Sequence, residues 1–109
     1  MSAVHPYPLR NPMDTRDLLL EHLRRLRPTL AQRYRVRELA LFGSIARGTF
    51  TADSDVDLLV DFADDADLLD MVGLANYLEG ELEREVDVIP RRALRPELHD
   101  QVLSEQIPL

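Results

Sequence analysis

Two short stretches of the sequence carry residues that could do chemistry on a phosphate. In the first, at residues 43–48, Gly43 begins a small-residue segment that also contains Ser44 and Arg47. Glycine allows a backbone to turn tightly beside an anion, and a hydroxyl and a guanidinium can both donate hydrogen bonds to phosphate oxygens. A helix that begins near Ser44 would also point its free N–H groups at that anion. The segment therefore predicts a phosphate contact, although such turns also occur by chance.

The second stretch has two carboxylates one residue apart at the start of an apolar run. Asp55 and Asp57 are separated only by Val56. Because side chains alternate along a strand, both carboxylates would leave it on the same side. Such a pair can hold one or two hard cations, which stabilise the entering and leaving oxygens of a phosphoryl group. The pair therefore predicts metal-dependent phosphoryl or nucleotidyl transfer.

Asp87 is the best candidate for a third carboxylate. It interrupts an otherwise apolar segment at residues 86–89. An unpaired buried carboxylate is costly, so this side chain must be paired, bound to a metal or exposed. If its strand lies beside residues 56–62, Asp87 would complete an acidic triad and could take the proton from an attacking hydroxyl. The alternative is an edge strand on which Asp87 faces water.

The first element that must position these residues is a helix near the start of the chain. Asn11 and Pro12 can begin it, and leucines then recur at three- and four-residue spacing, which predicts one apolar face. These leucines are Leu19, Leu23, Leu26 and Leu30. Pro28 is predicted to break or kink this helix, which leaves a second short helix that ends at about Tyr34.

Three strands and two more helices are predicted after this helix. The strands are predicted at residues 38–42, 56–62 and 85–89. Asp67 can cap a helix that continues to about Leu82, and a last short helix is predicted from about Pro96 to residues 107–108. This order predicts one α/β or α+β domain with a small mixed sheet flanked by helices.

The length and charge of the chain bound its architecture and its partners. The chain has 109 residues, which fits one domain over residues 13–109 after a loose arm over residues 1–12. A domain of this size cannot also contain a full substrate domain, so a large acceptor must bring its own surface. The net charge of −7 argues against direct binding of nucleic acid, because phosphate contacts need clustered basic residues.

Missing residue types exclude several kinds of site. There is no cysteine, which excludes disulfides, thiolate zinc sites and a cysteine nucleophile. All 13 basic residues are arginine, so the chain has neither a Walker-type lysine nor a Schiff-base lysine. No apolar stretch has the length of a signal-peptide core or a membrane span, and we expect a soluble, cytoplasmic protein.

The two motifs together resemble the signature of a known family. Residues 41–48 read Leu-Phe-Gly-Ser-Ile-Ala-Arg-Gly, and residues 54–60 read Ser-Asp-Val-Asp-Leu-Leu-Val. They are similar to the motifs of the minimal nucleotidyltransferases, small relatives within the DNA polymerase β-like superfamily. The resemblance runs from about Leu18 onward and implies the polymerase β-like nucleotidyltransferase fold. Many members have an acid after the last glycine of the first motif, where this chain has Thr49.

The resemblance also implies roles for six residues. The acids that would bind Mg²⁺ and carry catalysis are Asp55, Asp57 and Asp87. The residues that would hold the phosphates of the substrate ATP are Gly43, Ser44 and Arg47. Asp87 would in addition act as the base.

A protein partner is a further implication of the resemblance. Stand-alone domains of this family are commonly antitoxins of HEPN-family ribonuclease toxins, and some transfer AMP from ATP to a tyrosine hydroxyl of the toxin. We therefore expect an antitoxin with protein adenylyltransferase activity and a toxin encoded by an adjacent gene. Two alternatives stay open: an antitoxin that neutralises its partner by binding alone, and nucleotidyl transfer to a small molecule.

Overall fold

The computed structural model describes the backbone of residues 12–49, 51 and 53–109, and the side chains from residue 16 onward within those ranges. The predicted loose arm over residues 1–12 lies outside the described residues except for Pro12. The predicted helix start at Asn11 also lies outside them.

The first helix, α1, spans Pro12–Tyr34 without interruption, so the predicted break at Pro28 is wrong. A proline inside a helix removes one backbone hydrogen bond and costs about 3 kcal/mol. Here Pro28 lies on the exposed face, whereas Leu23 and Leu30, on either side of it, are fully buried. Burial of each leucine contributes about 1.5–3 kcal/mol. Packing on both sides of the proline therefore outweighs its local cost.

Four strands form one mixed sheet in the order β3-β2-β1-β4. The strands are β1 (Val36–Phe42), β2 (Val56–Phe62), β3 (Val86–Pro90) and β4 (Ile107–Pro108). β1 is antiparallel to both β2 and β4, and β2 is parallel to β3. The predicted α/β domain with a small mixed sheet is thus confirmed, and the three predicted strands are present, β2 with the predicted ends and the other two with ends shifted by one or two residues.

Besides two short 3₁₀ helices, Arg91–Ala93 and Pro96–Leu98, three α-helices of the described chain connect or follow the strands. They are α2 (Gly43–Arg47), α3 (Leu68–Leu82) and α4 (His99–Glu105). Residues 107–108 form β4 instead of the end of the last helix, which corrects the prediction. α4 ends at Glu105. After Gln106, Ile107 pairs with Leu41 of β1 and Pro108 pairs with Ala40. This pairing depends on a distant strand, and Pro108 is a poor residue for continuing a helix.

Asp67 begins α3 as predicted, in a reciprocal cap with Asp70. The backbone N–H of Asp70 donates to the Asp67 carboxylate at 3.1 Å, and the N–H of Asp67 donates to Asp70 Oδ2 at 3.0 Å. Arg35 Nη1 also donates to Asp70 Oδ2, at 2.9 Å. These donors hold the pKa of Asp70 below its ordinary value, and the N–H of Asp67 has the largest effect.

We expect Asp70→Asn to lower the stability of the fold at neutral pH and to weaken its acid dependence. Because the pKa of Asp70 is lower in the folded state, its charge stabilises the fold above the unfolded pKa of about 3.9. That contribution is lost as the pH falls through the folded pKa. Urea unfolding midpoints at about pH 7 and about pH 3 should show a difference between wild type and variant that shrinks in acid. Exposed Asp64, changed to Asn, is the control, and an equal difference at both pH values would contradict the prediction.

The core lies mainly on one face of the sheet, and this leaves room for a site on the other. α1 and α3 cover the first face, where Leu23, Leu58 and Leu78 are fully buried. On the second face, Leu59 packs with Val102 of the seven-residue helix α4. This second layer is small, so Asp87 of β3 stays exposed beside it, while Val86 is buried on the first face. None of the helices in the described part of the chain is long and apolar enough to span a membrane.

Candidate active site

Gly43 lies directly against Asp57. It follows β1 with a φ of +79°, in the left-handed region. Phe42 pairs with Asp57 across β1 and β2, so the turn passes over the start of β2. A Cβ atom at position 43 would overlap Asp57 Oδ2. Glycine is therefore required here both by the backbone conformation and by the neighbouring carboxylate.

The short helix α2 is anchored in the core and keeps its polar side chains accessible. Ile45 and Ala46 are buried, whereas Ser44 is half-buried and Arg47 is exposed. The helix ends at Gly48, which has a φ of +80° and donates its N–H to Ile45 O at 3.1 Å. The helix predicted near Ser44 is thus present, and burial of its central residues fixes where the two polar residues stand.

Asp57 and Asp87 are neighbours on adjacent strands. β2 and β3 run parallel, and their register pairs Asp57 with Asp87. The ladder begins where the N–H of Val56 donates to Glu85 O at 2.9 Å. Asp55 lies immediately before β2 and is exposed. The three acids predicted from the sequence therefore lie at the same end of two neighbouring strands.

The strand that carries Asp87 is also at the edge of the sheet. β3 has a strand neighbour on one side only, and Asp87 is exposed. The two alternatives drawn from the sequence are therefore compatible: Asp87 faces water and stands beside Asp57. An exposed carboxylate in this position is accessible to a group on another molecule.

The Asp57 carboxyl responds to the charge of this cluster. The pKa of Asp57 is raised, mainly by burial and further by the charges of Asp87 and Asp55, whereas the charge of Arg47 lowers it. Among the described side chains, no three acids or histidines are gathered closely enough to hold a metal ion as they stand. Neighbouring carboxylates repel one another, and their oxygens are the ligands that Mg²⁺ prefers. The donor set therefore fits a divalent cation, whose binding would require the side chains to move closer.

Two contacts near the site were not predicted. Arg47 Nη1 forms an ion pair with Glu105 Oε2 of α4 at 3.3 Å. Arg84 is buried and donates from Nη1 to Ser54 O at 3.1 Å, which supports the backbone immediately before Asp55. The partners are 58 and 30 residues apart in the chain, respectively, so no local pattern marks either contact.

Comparisons with known proteins agree with this geometry. The profile of the nucleotidyltransferase domain family matches residues 23–108. The protein adenylyltransferase MntA of Thermococcus cleftensis is 38% identical over 91 residues, which cover 84% of this chain and 88% of that protein. The matched region of the family profile contains both motifs and all three acids.

Solved structures give the same result. A structure attributed to a minimal nucleotidyltransferase is 44% identical, with a TM-score of 0.69, and the match covers 83% of this chain and 95% of that one. A toxin–antitoxin structure with AMP-PNP is 28% identical, with a TM-score of 0.62 and coverage of 85% and 70%. Fold, motifs and sequence relatives agree, and the chain belongs to the nucleotidyltransferase domain family.

Proposed function

We propose that this protein is a Mg²⁺-dependent protein adenylyltransferase that acts in the cytoplasm as an antitoxin and transfers AMP from ATP to its toxin. The observation that carries the proposal is the register of β2 and β3, which sets Asp57 beside Asp87. The close approach of Gly43 to Asp57 supports it, because a phosphate held at the turn would lie next to these acids.

In this proposal, three carboxylates bind the metal and the preceding turn binds the nucleotide. Asp55, Asp57 and Asp87 would hold Mg²⁺, which when bound withdraws negative charge from the phosphate oxygens. The nucleotide phosphates would be held at the Gly43–Ser44 turn and by the Arg47 guanidinium. Arg47 would exchange its half-exposed partner Glu105 for a phosphate oxygen, because both are anionic acceptors.

The transfer itself requires a base for the acceptor hydroxyl. The hydroxyl oxygen would form a bond to the α-phosphorus of ATP, the bond from that phosphorus to the bridging oxygen would break, and pyrophosphate would leave. The proton of the hydroxyl would pass to a carboxylate. Asp87 suits this role because it is exposed on an edge strand, where a second protein can bring its hydroxyl within reach.

The proposed acceptor is a tyrosine of a HEPN-family ribonuclease toxin. The resemblance of the two motifs to the minimal nucleotidyltransferases supports this choice, as does the similarity to a toxin–antitoxin structure with AMP-PNP. The name of the Thermococcus cleftensis relative, a protein adenylyltransferase, supports a protein substrate over a small molecule.

Intact mass measurement of the toxin tests the proposed function. We expect purified chain, ATP and Mg²⁺ to add one or more AMP groups to the toxin, and we expect EDTA to prevent the addition, because three carboxylates without a cation repel both one another and the phosphates. Excess Mg²⁺ added after EDTA should restore it. If the toxin is neutralised while its mass stays unchanged, the protein is an antitoxin that acts by binding alone.

A further inference from the structure

An apolar trough lies between α3 and the outer edge of β3. Three of its neighbouring side chains on α3 are large, apolar and mostly exposed: Leu68 at 70%, Leu69 at 79% and Val72 at 50%. Beside them are two cavities of about 440 Å³ and about 220 Å³. Met71 lines both cavities, so they are neighbours, and we call them together the α3–β3 trough. Its floor and walls include Leu68, Met71, Val72, Ala75, Val88 and Pro90.

The trough runs along the edge strand that carries Asp87. Asp87 lines the smaller of the two cavities, and the same residue stands beside Asp57 in the strand register. A molecule seated in the trough would therefore lie against the edge strand that carries the acid proposed as the base, although the Asp87 side chain is on the opposite face of the sheet from Val86 and Val88. Exposed apolar surface of this extent on a small domain is typical of a binding surface.

We propose that the α3–β3 trough docks an amphipathic helix of the acceptor protein, with apolar residues on one face and basic residues at its flanks; this rests on the proposed function. The charge of the trough argues for the basic flanks. Of the charged residues that line the two cavities, Asp67 and Asp87 are acidic and Arg92 is basic. Glu83 and Glu85, between α3 and β3, add exposed negative charge at one end.

The edge of β3 disfavours an added strand in this place. The N–H of Val86 already donates to Glu79 Oε2 at 3.2 Å, and Pro90 has no N–H to donate. A strand laid along β3 would therefore lose two of the backbone hydrogen bonds that make such pairing favourable. A helix docks through side chains, and its apolar positions at three- and four-residue spacing can fill the two neighbouring cavities.

Charge also disfavours a second copy of this chain as the occupant. In a two-fold dimer the same patch faces itself, and the acidic residues around each trough would be brought together. A partner with basic flanks would instead meet opposite charge. The acceptor protein is therefore the occupant that both the apolar lining and the acidic border favour.

The test compares two charged substitutions at Val72, in the trough, with one charged substitution at Leu98, an exposed apolar residue outside it. Val72→Arg and Val72→Glu both remove apolar contact, but only the arginine opposes a basic partner. Leu98→Arg is the control, because Leu98 is exposed to a similar degree, at 40%, and lines neither cavity. Binding to the purified HEPN-family toxin is measured by calorimetry, transfer by the mass of the toxin, and the nucleotide site by calorimetry with AMP-PNP and Mg²⁺.

We expect Val72→Arg to weaken toxin binding at least about tenfold, Val72→Glu to weaken it less, and Leu98→Arg to change it less than about twofold. AMP-PNP binding should be unchanged in all three variants, which separates docking from damage to the site. Toxin binding by Val72→Arg at wild-type strength would overturn the proposal. If Val72→Glu binds the toxin more weakly than Val72→Arg does, the inference that the docked helix has basic flanks is wrong. Self-association that Val72→Arg abolishes would assign the trough to a second copy. Wild-type chain that binds the toxin without transferring AMP would defeat the proposed function while the docking result stays readable.

Discussion

Asp57→Asn should abolish nucleotidyl transfer while the protein stays folded. The charges of both Asp87 and Asp55 act on Asp57. Loss of the Asp57 charge from the proposed metal site is expected to reduce the transfer rate at least about a thousandfold, or about 4 kcal/mol. The variant should be at least as stable as wild type without metal, because burial and then the charges of Asp87 and Asp55 raise the pKa of Asp57, and the ionised form is therefore destabilising. The mass of the toxin measures transfer, and thermal unfolding in EDTA measures stability.

Asp61→Asn is the matched control for this variant. Asp61 lies on the same strand and, like Asp57, is half-buried, but it pairs with Glu38 of β1, away from the turn at Gly43. It should keep transfer within about threefold of wild type, in line with the small effect of surface changes. Wild-type transfer by Asp57→Asn, or an equal loss in both variants, would mean that the metal site has been placed wrongly.

Gly43→Ala should remove both transfer and part of the stability. Alanine in the left-handed region costs about 1–2 kcal/mol, and its Cβ would overlap Asp57 Oδ2, so that either the turn or the carboxylate has to move. Either movement separates the proposed phosphate contact from the proposed metal ligand. We expect at least about a hundredfold slower transfer, since small misplacements in an active site have effects of that size. Urea unfolding and toxin mass measure the two effects.

Gly80→Ala provides the comparison, because the same substitution there meets neither obstacle. Gly80 lies within α3, and nothing approaches the position of an added Cβ within 4 Å. Alanine should raise stability there by up to about 1 kcal/mol and leave transfer unchanged. A Gly43→Ala variant that behaves like Gly80→Ala would show that the turn does not need its present conformation.

Much of the fold follows from local patterns in the sequence. Alternation over residues 56–62 predicts β2 with its polar and apolar faces, and Asp67 as a cap predicts the start of α3. The side-by-side arrangement of Asp57 and Asp87 needs more than alternation. It depends on β3 lying parallel to β2 and in register with it, which the local pattern of residues 85–89 does not determine.

The features that escaped prediction all depend on contacts between distant residues. α1 continues through Pro28 because leucines on both sides of it are buried by the sheet and by α3. β4 consists of two residues and exists only because β1 offers it a partner. The contact of Arg84 with Ser54 O joins the end of α3 to the loop before β2. The roles of the six residues at the site remain predictions, which the variants above test.

The prolines at the two borders of the sheet affect how the protein behaves when it is alone. β3 ends at Pro90 and the two-residue strand β4 contains Pro108, so neither border presents a long row of free N–H groups. Sheets of separate molecules therefore have little opportunity to join edge to edge into fibrils, even though the chain exposes apolar side chains on α3. This arrangement would limit edge-to-edge association of newly made protein while its apolar side chains on α3 are exposed.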